Sequence, residues 1–155
     1  MQLTADHRAK ALIIGYGNVL RGDDGVGRAV VHALACAPLP DAVETIDCHQ
    51  LIPELAERLA AVHLVVFIDA TGDLSPGRVE ATEALPRARA PHVAHRLDAS
   101  GLLDLSQRLY GRSPKAFLVR VGIGSMMLGE EFSEPVTAAV PRAIDLVLRL
   151  LADTR

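Results

Sequence analysis

The chain is expected to fold as an α/β three-layer α/β/α sandwich around a twisted, mostly parallel, five-stranded sheet with one antiparallel edge strand. Three observations predict this. The runs ALIIGY (11–16) and HLVVFIDA (63–70) are almost wholly apolar, as strands covered on both faces must be. Segments with apolar residues at helical spacing alternate with such runs. The resulting order, β-α-β-α-β-β-α-β-α, is that of crossover units, which pair their strands in parallel. With 155 residues, half of them hydrophobic, a single domain over 1–155 can bury its own core. Only 3% of residues are aromatic, so Ala, Val, Leu and Ile must fill that core.

Each element has its own reason. After ALIIGY comes a glycine-rich turn. Val26, Ala29, Val30, Ala33 and Leu34 then recur at helical spacing, which predicts an amphipathic helix over about 24–36. The proline-punctuated ACAPLPD leads into AVETIDC (42–48), whose alternation reads as a strand. In LIPELAERLA, Leu51, Leu55 and Leu59 lie four apart and Pro53 suits a first helical turn. HLVVFIDA follows, and the turn-rich TGDLSPG separates it from RVEAT (78–82). That gap of about eight residues is too short for a helical crossover, so RVEAT becomes the antiparallel edge strand. DASGLLDLSQRLYG reads as a helix stopped by Gly111, and KAFLVRVG as the last strand. The closing SEPVTAAVPRAIDLVLRLLADTR is helical, with Ser133 as N-cap and Pro141 expected to kink or restart it.

Composition narrows the function. The net charge is -3 and no basic block stands out, so the electrostatic footprint of a nucleic-acid binder is missing. The opening MQLTADHRAK precedes only a short, glycine-interrupted apolar run, which predicts neither signal peptide nor membrane span. Two cysteines, Cys36 and Cys48, give neither a disulfide framework nor a CxxC pair. A soluble, cytoplasmic, monomeric protein is expected.

Ligand sites on open α/β sheets lie outside the carboxyl ends of the strands. Asn18, Asp23 and Asp24 follow the first strand, Asp47, Cys48 and His49 end the second, and Asp69 ends the third. His92 and His95 precede the third helix, and Gly122, Gly124, Glu130 and Glu131 follow the last strand. The first turn begins like a dinucleotide fingerprint with Gly15 and Gly17, but Leu20 stands at the third glycine position. Carboxylates at the start of a helix suit its dipole and repel a phosphate, so the nucleotide reading fails. Capping by Asp23 explains one aspartate without any function. It does not explain Asp69, an acid at the end of a buried strand, which needs hydrogen bonds, a cation or a raised pKa. Two carboxylates and a histidine can form a divalent-metal site with open positions, and satisfied structural polar groups remain the competing reading.

Nucleophile schemes fit less well. Cys48 and His49 are neighbours in a strand end and point to opposite faces. In GIGSM the serine is displaced from a nucleophile elbow. Cys36, Met126 and Met127 read as packing residues, His32 as helix surface, His63 as strand entry, and His7 as part of a tail.

The stretches GYGNVLRGDDGVG, ETIDCHQLIPELAERLA and VVFIDA, with the His95 segment leading to LYGRSPKAFLVRVG, resemble the nickel–iron hydrogenase maturation endopeptidases. The similarity runs from about residue 12 to 150, and GxGNxLxxDDGxG together with HQLxPELA makes it specific. The resemblance implies a five-stranded α/β/α sandwich that trims a C-terminal extension from the hydrogenase large-subunit precursor after nickel insertion. It implies metal-binding positions at Asp24, Asp69 and His95, and a further acid at Asp47. His92 shares the segment PHVAHRLDASGLL; His95 is preferred because it leads directly into the helix. The implied cofactor is a divalent metal, nickel, either held by the resting enzyme or brought by the substrate. A bound ion could polarise the scissile carbonyl while an acidic group takes a proton from water. Asp47 is expected at the same crevice, either shaping the loop to Pro53 or moving a proton. The rival reading is a non-catalytic, nickel-sensing assembly factor for the large subunit.

Overall fold

Branched aliphatic side chains build the centre of the sheet. In the computed structural model, which describes residues 11–88 and 96–154, β1 (Ala11–Tyr16) and β3 (Leu64–Thr71) are buried along most of their length. They lie between β2 (Val43–Cys48) on one side and β5 (Lys115–Gly122) then β4 (Val79–Ala84) on the other, in the order β2-β1-β3-β5-β4. Every pairing is parallel except β4 with β5, the predicted antiparallel edge.

Side chains alternate between the two faces of a strand, and two cores result. Ile13, Val66 and Ile68 face α1 (Val26–Ala35) and α4 (Glu134–Asp153), meeting Val30, Leu34 and Val147. Leu12, Ile14, Val65 and Phe67 face α2 (Leu55–Ala60) and α3 (Ala99–Tyr110), meeting Leu59, Leu102 and Leu103. The three-layer sandwich expected from the sequence is therefore present.

Several local expectations change. The helix predicted from about residue 24 begins as a 3-10 turn, Gly22–Gly25, and becomes α-helical at Val26. Cys36, expected in the core, is exposed, because the apolar stripe of α1 ends at Leu34 and Cys36 is the C-cap beyond it. α4 runs unbroken through Pro141. Pro141 and Thr137, whose carbonyl loses its helical partner, both lie on the exposed face, where solvent can take up the lost bond. Gly111 ends α3 in the left-handed conformation, with φ 71°, as its position suggested. Among the described residues no helix is long and apolar enough to cross a membrane.

α1 is pressed onto the strand ends at Gly27. A Cβ there would stand 2.3 Å from the Ile68 carbonyl oxygen and 3.0 Å from that of Tyr16. Both obstacles are backbone of central strands and cannot rotate away. Gly27→Ala is expected to cost about 1–3 kcal/mol of stability through overpacking, measurable as a lower urea midpoint with an unchanged m-value.

Candidate active site

The chain leaves β1 for β2 on one side and then returns to β3 on the other, so the strand order reverses at the carboxyl end of β1. Open α/β sheets form their ligand crevice at such a point. Here it has a volume of about 410 Å³, and Tyr16, Gly17, Asp24, His49, Asp69 and Arg96 are among its lining residues. Gly15 pairs with Ile68, so the next residues, Tyr16 at the end of β1 and Asp69 two residues before the end of β3, share a face.

Asp69 is the most perturbed carboxyl of the crevice. Burial pushes it up to about 6, and the Asp24 charge adds to the rise. The nearby Tyr16 hydroxyl, the Ala70 amide and the Arg96 charge all oppose the rise without cancelling it. Burial in turn raises the Tyr16 phenol well above its usual value, and the Asp69 charge raises it further. An acid poised near 6 can exchange a proton at neutral pH, which an exposed aspartate does poorly.

Asp24 enters from the turn after β1. The Asn18 amide donates to Asp24 Oδ2 at 2.7 Å, fixing one of its oxygens. Gly17 makes this possible: its φ is +143°, and a Cβ would lie 2.0 Å from the Asp24 carbonyl oxygen. Two part-buried carboxylates that repel each other are an arrangement a divalent cation relieves. Their oxygens fit such an ion, yet no three His, Cys, Asp or Glu side chains among the described residues form a complete metal-binding group. The expected third ligand, His95, and its competitor His92 lie outside the described residues.

Asp23, the other member of the acidic pair, is no helix cap; Gly25 holds the N-cap position of α1. Its side chain is completely buried. It accepts the amides of Gly124, Ser125 and Ser133 at 2.7 Å each and the Ser133 hydroxyl at 2.6 Å. Ser133 is the N-cap residue of α4, as predicted, but its hydroxyl serves Asp23 instead of the helix. Asp23 thereby ties the loop after β5 to the turn that holds Asp24. Because this loop is anchored through its backbone, Met126 and Met127 point outward, 46% and 79% exposed, and do not pack as expected.

Asp47 does not face the crevice of Asp24 and Asp69. It lines a separate pocket of about 240 Å³ beside α1, 3.2 Å from the Arg28 guanidinium. The cause is strand parity. Asp47 lies opposite Gly15, one residue before the Tyr16 pair, and so points to the α1 face. Cys48 takes the other face and packs against the α2–α3 core. Burial, then the Asp47 charge, pushes its thiol up, which disfavours the thiolate a nucleophile needs.

Sequence reasoning placed Asp24 and Asp69 together, and His49 joins them in the crevice lining. It missed Tyr16 and Arg96. Tyr16 was detectable from its position between Gly15 and Gly17 and its shared parity with Asp69. Arg96 follows His95 directly, but no spacing rule aims it inward.

No family model matches the chain. A Methanocaldococcus jannaschii protein assigned as a hydrogenase maturation protease is 34% identical over 153 residues, with 88% of this chain and 93% of that protein covered. The hydrogenase maturating endopeptidase HybD of Escherichia coli superposes with a TM-score of 0.79 at 27% identity, covering 94% of this chain and 93% of its own. The hydrogenase 2 maturation peptidase of a Thaumarchaeota archaeon gives 0.71 at 30% identity, covering 92% and 97%. The [NiFe] hydrogenase maturation protease HycI of Thermococcus kodakarensis gives 0.75 at 25% identity, covering 94% of each chain. With this sequence identity along most of both chains and the same sheet, the chain belongs to the hydrogenase maturation proteases.

Proposed function

We propose that this endopeptidase removes the C-terminal extension of a nickel–iron hydrogenase large-subunit precursor after nickel has been inserted, acting as a cytoplasmic monomer. The observation that carries the reading is the convergence of Asp24 and Asp69 in one crevice at the reversal of strand order. Asp24 and Asp69 would supply oxygen ligands to a divalent ion, with His95 as the third ligand. When bound, such an ion would polarise a carbonyl and favour attack by water. In this reading nickel serves either as the precursor's own cargo, recognised by these ligands, or as a resident ion.

The chain's own residues have separable tasks. Asp69 would hold the ion through one oxygen while the other accepts a proton from water and returns one to the departing amine. Asp24, held by the Asn18 amide, keeps its second oxygen for the ion. Arg96 supplies a positive charge near Asp69. Asp47 acts from outside the crevice through its ion pair with Arg28, so its contribution is indirect.

The test is to incubate the purified chain with nickel-loaded precursor and weigh the large subunit by mass spectrometry. A mass loss equal to the C-terminal extension is expected. A stable complex with no mass loss would instead identify a nickel-sensing assembly factor.

A further inference from the structure

We propose that Glu80 is a positioning residue that holds the Arg120 guanidinium away from Asp69 and so keeps the Asp69 carboxylate open to a cation. This rests on the endopeptidase reading above and adds to it two residues of the neighbouring strands, β4 and β5.

The sheet register brings the three side chains into one row. Asp69 on β3 is the partner of Arg120 on β5, and Arg120 is the partner of Glu80 on β4. Paired residues point to the same face, so Arg120 stands between two carboxylates, each on a strand about 4.8 Å away. The long arginine stem can reach either neighbour. The structure shows which one it takes. Arg120 Nη2 donates to Glu80 Oε1, and Nη1 lies 3.9 Å from Asp73 Oδ2. Among the described residues no ion pair joins Arg120 to Asp69. The Asp73 side chain is 86% exposed, and an ion pair so open to water is weak, so Glu80 supplies most of the hold. Arg120 Nε is buried and has no partner among the described residues. A buried donor left unmade is costly, and Asp69 is the carboxylate in register to accept it once Glu80 is gone. Arginine grips a carboxylate through two parallel N–H groups. Such a grip on Asp69 would occupy the oxygens that a divalent ion needs and cancel their charge. Glu80 therefore protects the site from the far side of β5.

The test uses Glu80→Ala, which leaves β4 without a carboxylate to hold Arg120. A crystal structure of the variant should place the guanidinium on Asp69, within hydrogen-bond distance. Calorimetric titration of the chain alone with Ni(II) should show affinity weakened by about 10–100-fold, the usual scale for losing a group that orients metal-binding side chains. Processing of nickel-loaded precursor should slow over the same range. Glu80→Ala combined with Arg120→Leu should restore both, since no guanidinium then remains to cover Asp69. Glu83→Ala removes a carboxylate from the opposite face of the same strand and should behave as wild type, which separates the hold on Arg120 from a loss of charge. A guanidinium that stays beside Asp73 in Glu80→Ala would overturn the proposal. So would wild-type Ni(II) affinity and processing in that variant, or a loss that Arg120→Leu does not reverse. If the wild type binds Ni(II) but leaves the precursor intact, the endopeptidase reading fails, and the crystal structure and the titration still decide the role of Glu80. A wild type that neither binds nor cleaves overturns both.

Discussion

Asp69→Asn is expected to abolish precursor processing and, in the same molecule, to raise the melting temperature at neutral pH. Loss of activity follows from losing both a proton acceptor and an anionic ligand. The gain in stability follows from the raised pKa, about 6 in the fold against an ordinary value of 3.8. The fold favours the protonated form. Below pH 3.8 the carboxyl is protonated whether the chain is folded or not, and no cost arises. As the pH rises from 3.8 to 6, the unfolded chain releases its proton first and the fold loses stability relative to it. Above 6 the cost is complete, on the order of 3 kcal/mol. Asparagine carries no charge to bury, so the variant should melt several degrees higher at pH 7.5 and like wild type near pH 4. Melting curves across this range check it, alongside large-subunit masses. A variant that melts lower than wild type at pH 7.5 would show that the charge is not a liability in the fold.

Asp23→Ala is expected to be the most destabilising single change at the site, by about 3–5 kcal/mol. It leaves three amides and a hydroxyl without their acceptor in a place sealed from water. The pH dependence has the opposite sign to that of Asp69. Burial works to raise the Asp23 carboxyl, but the Ser133 hydroxyl and the three amides together hold it below 3.8. Its stabilisation is therefore present above 3.8 and is lost as the pH falls through the lowered folded value. Acidification of the wild type should first relieve the Asp69 cost and then remove the Asp23 contribution. Urea unfolding of the variant at neutral pH measures the effect. A cost below about 1 kcal/mol would mean that the four bonds contribute little net stability.

Much of this architecture was legible because burial leaves a periodic trace. ALIIGY and HLVVFIDA announced the central strands, and the short TGDLSPG connection announced the antiparallel edge. Asp24 and Asp69 were legible as an acid after β1 and an acid near the end of β3, two places that α/β sheets bring together. Asp47 was misplaced because chain order does not settle parity: one residue along β2 turns a side chain to the opposite face. Asp23 read as a cap because its partners lie more than a hundred residues away, beyond any local pattern. The outward turn of Met126 and Met127 depends on that same distant anchor, so composition alone pointed them inward.

Asp24 offers the most direct measurement, since its replacement disturbs no hydrogen-bond hub of the core. Nickel-loaded precursor should be incubated with the wild-type chain and, in parallel, with Asp24→Asn, and the large subunit weighed after each reaction. The account predicts complete loss of the C-terminal extension with the wild type and none with the variant, at matched melting temperatures. Complete truncation by both chains would contradict it.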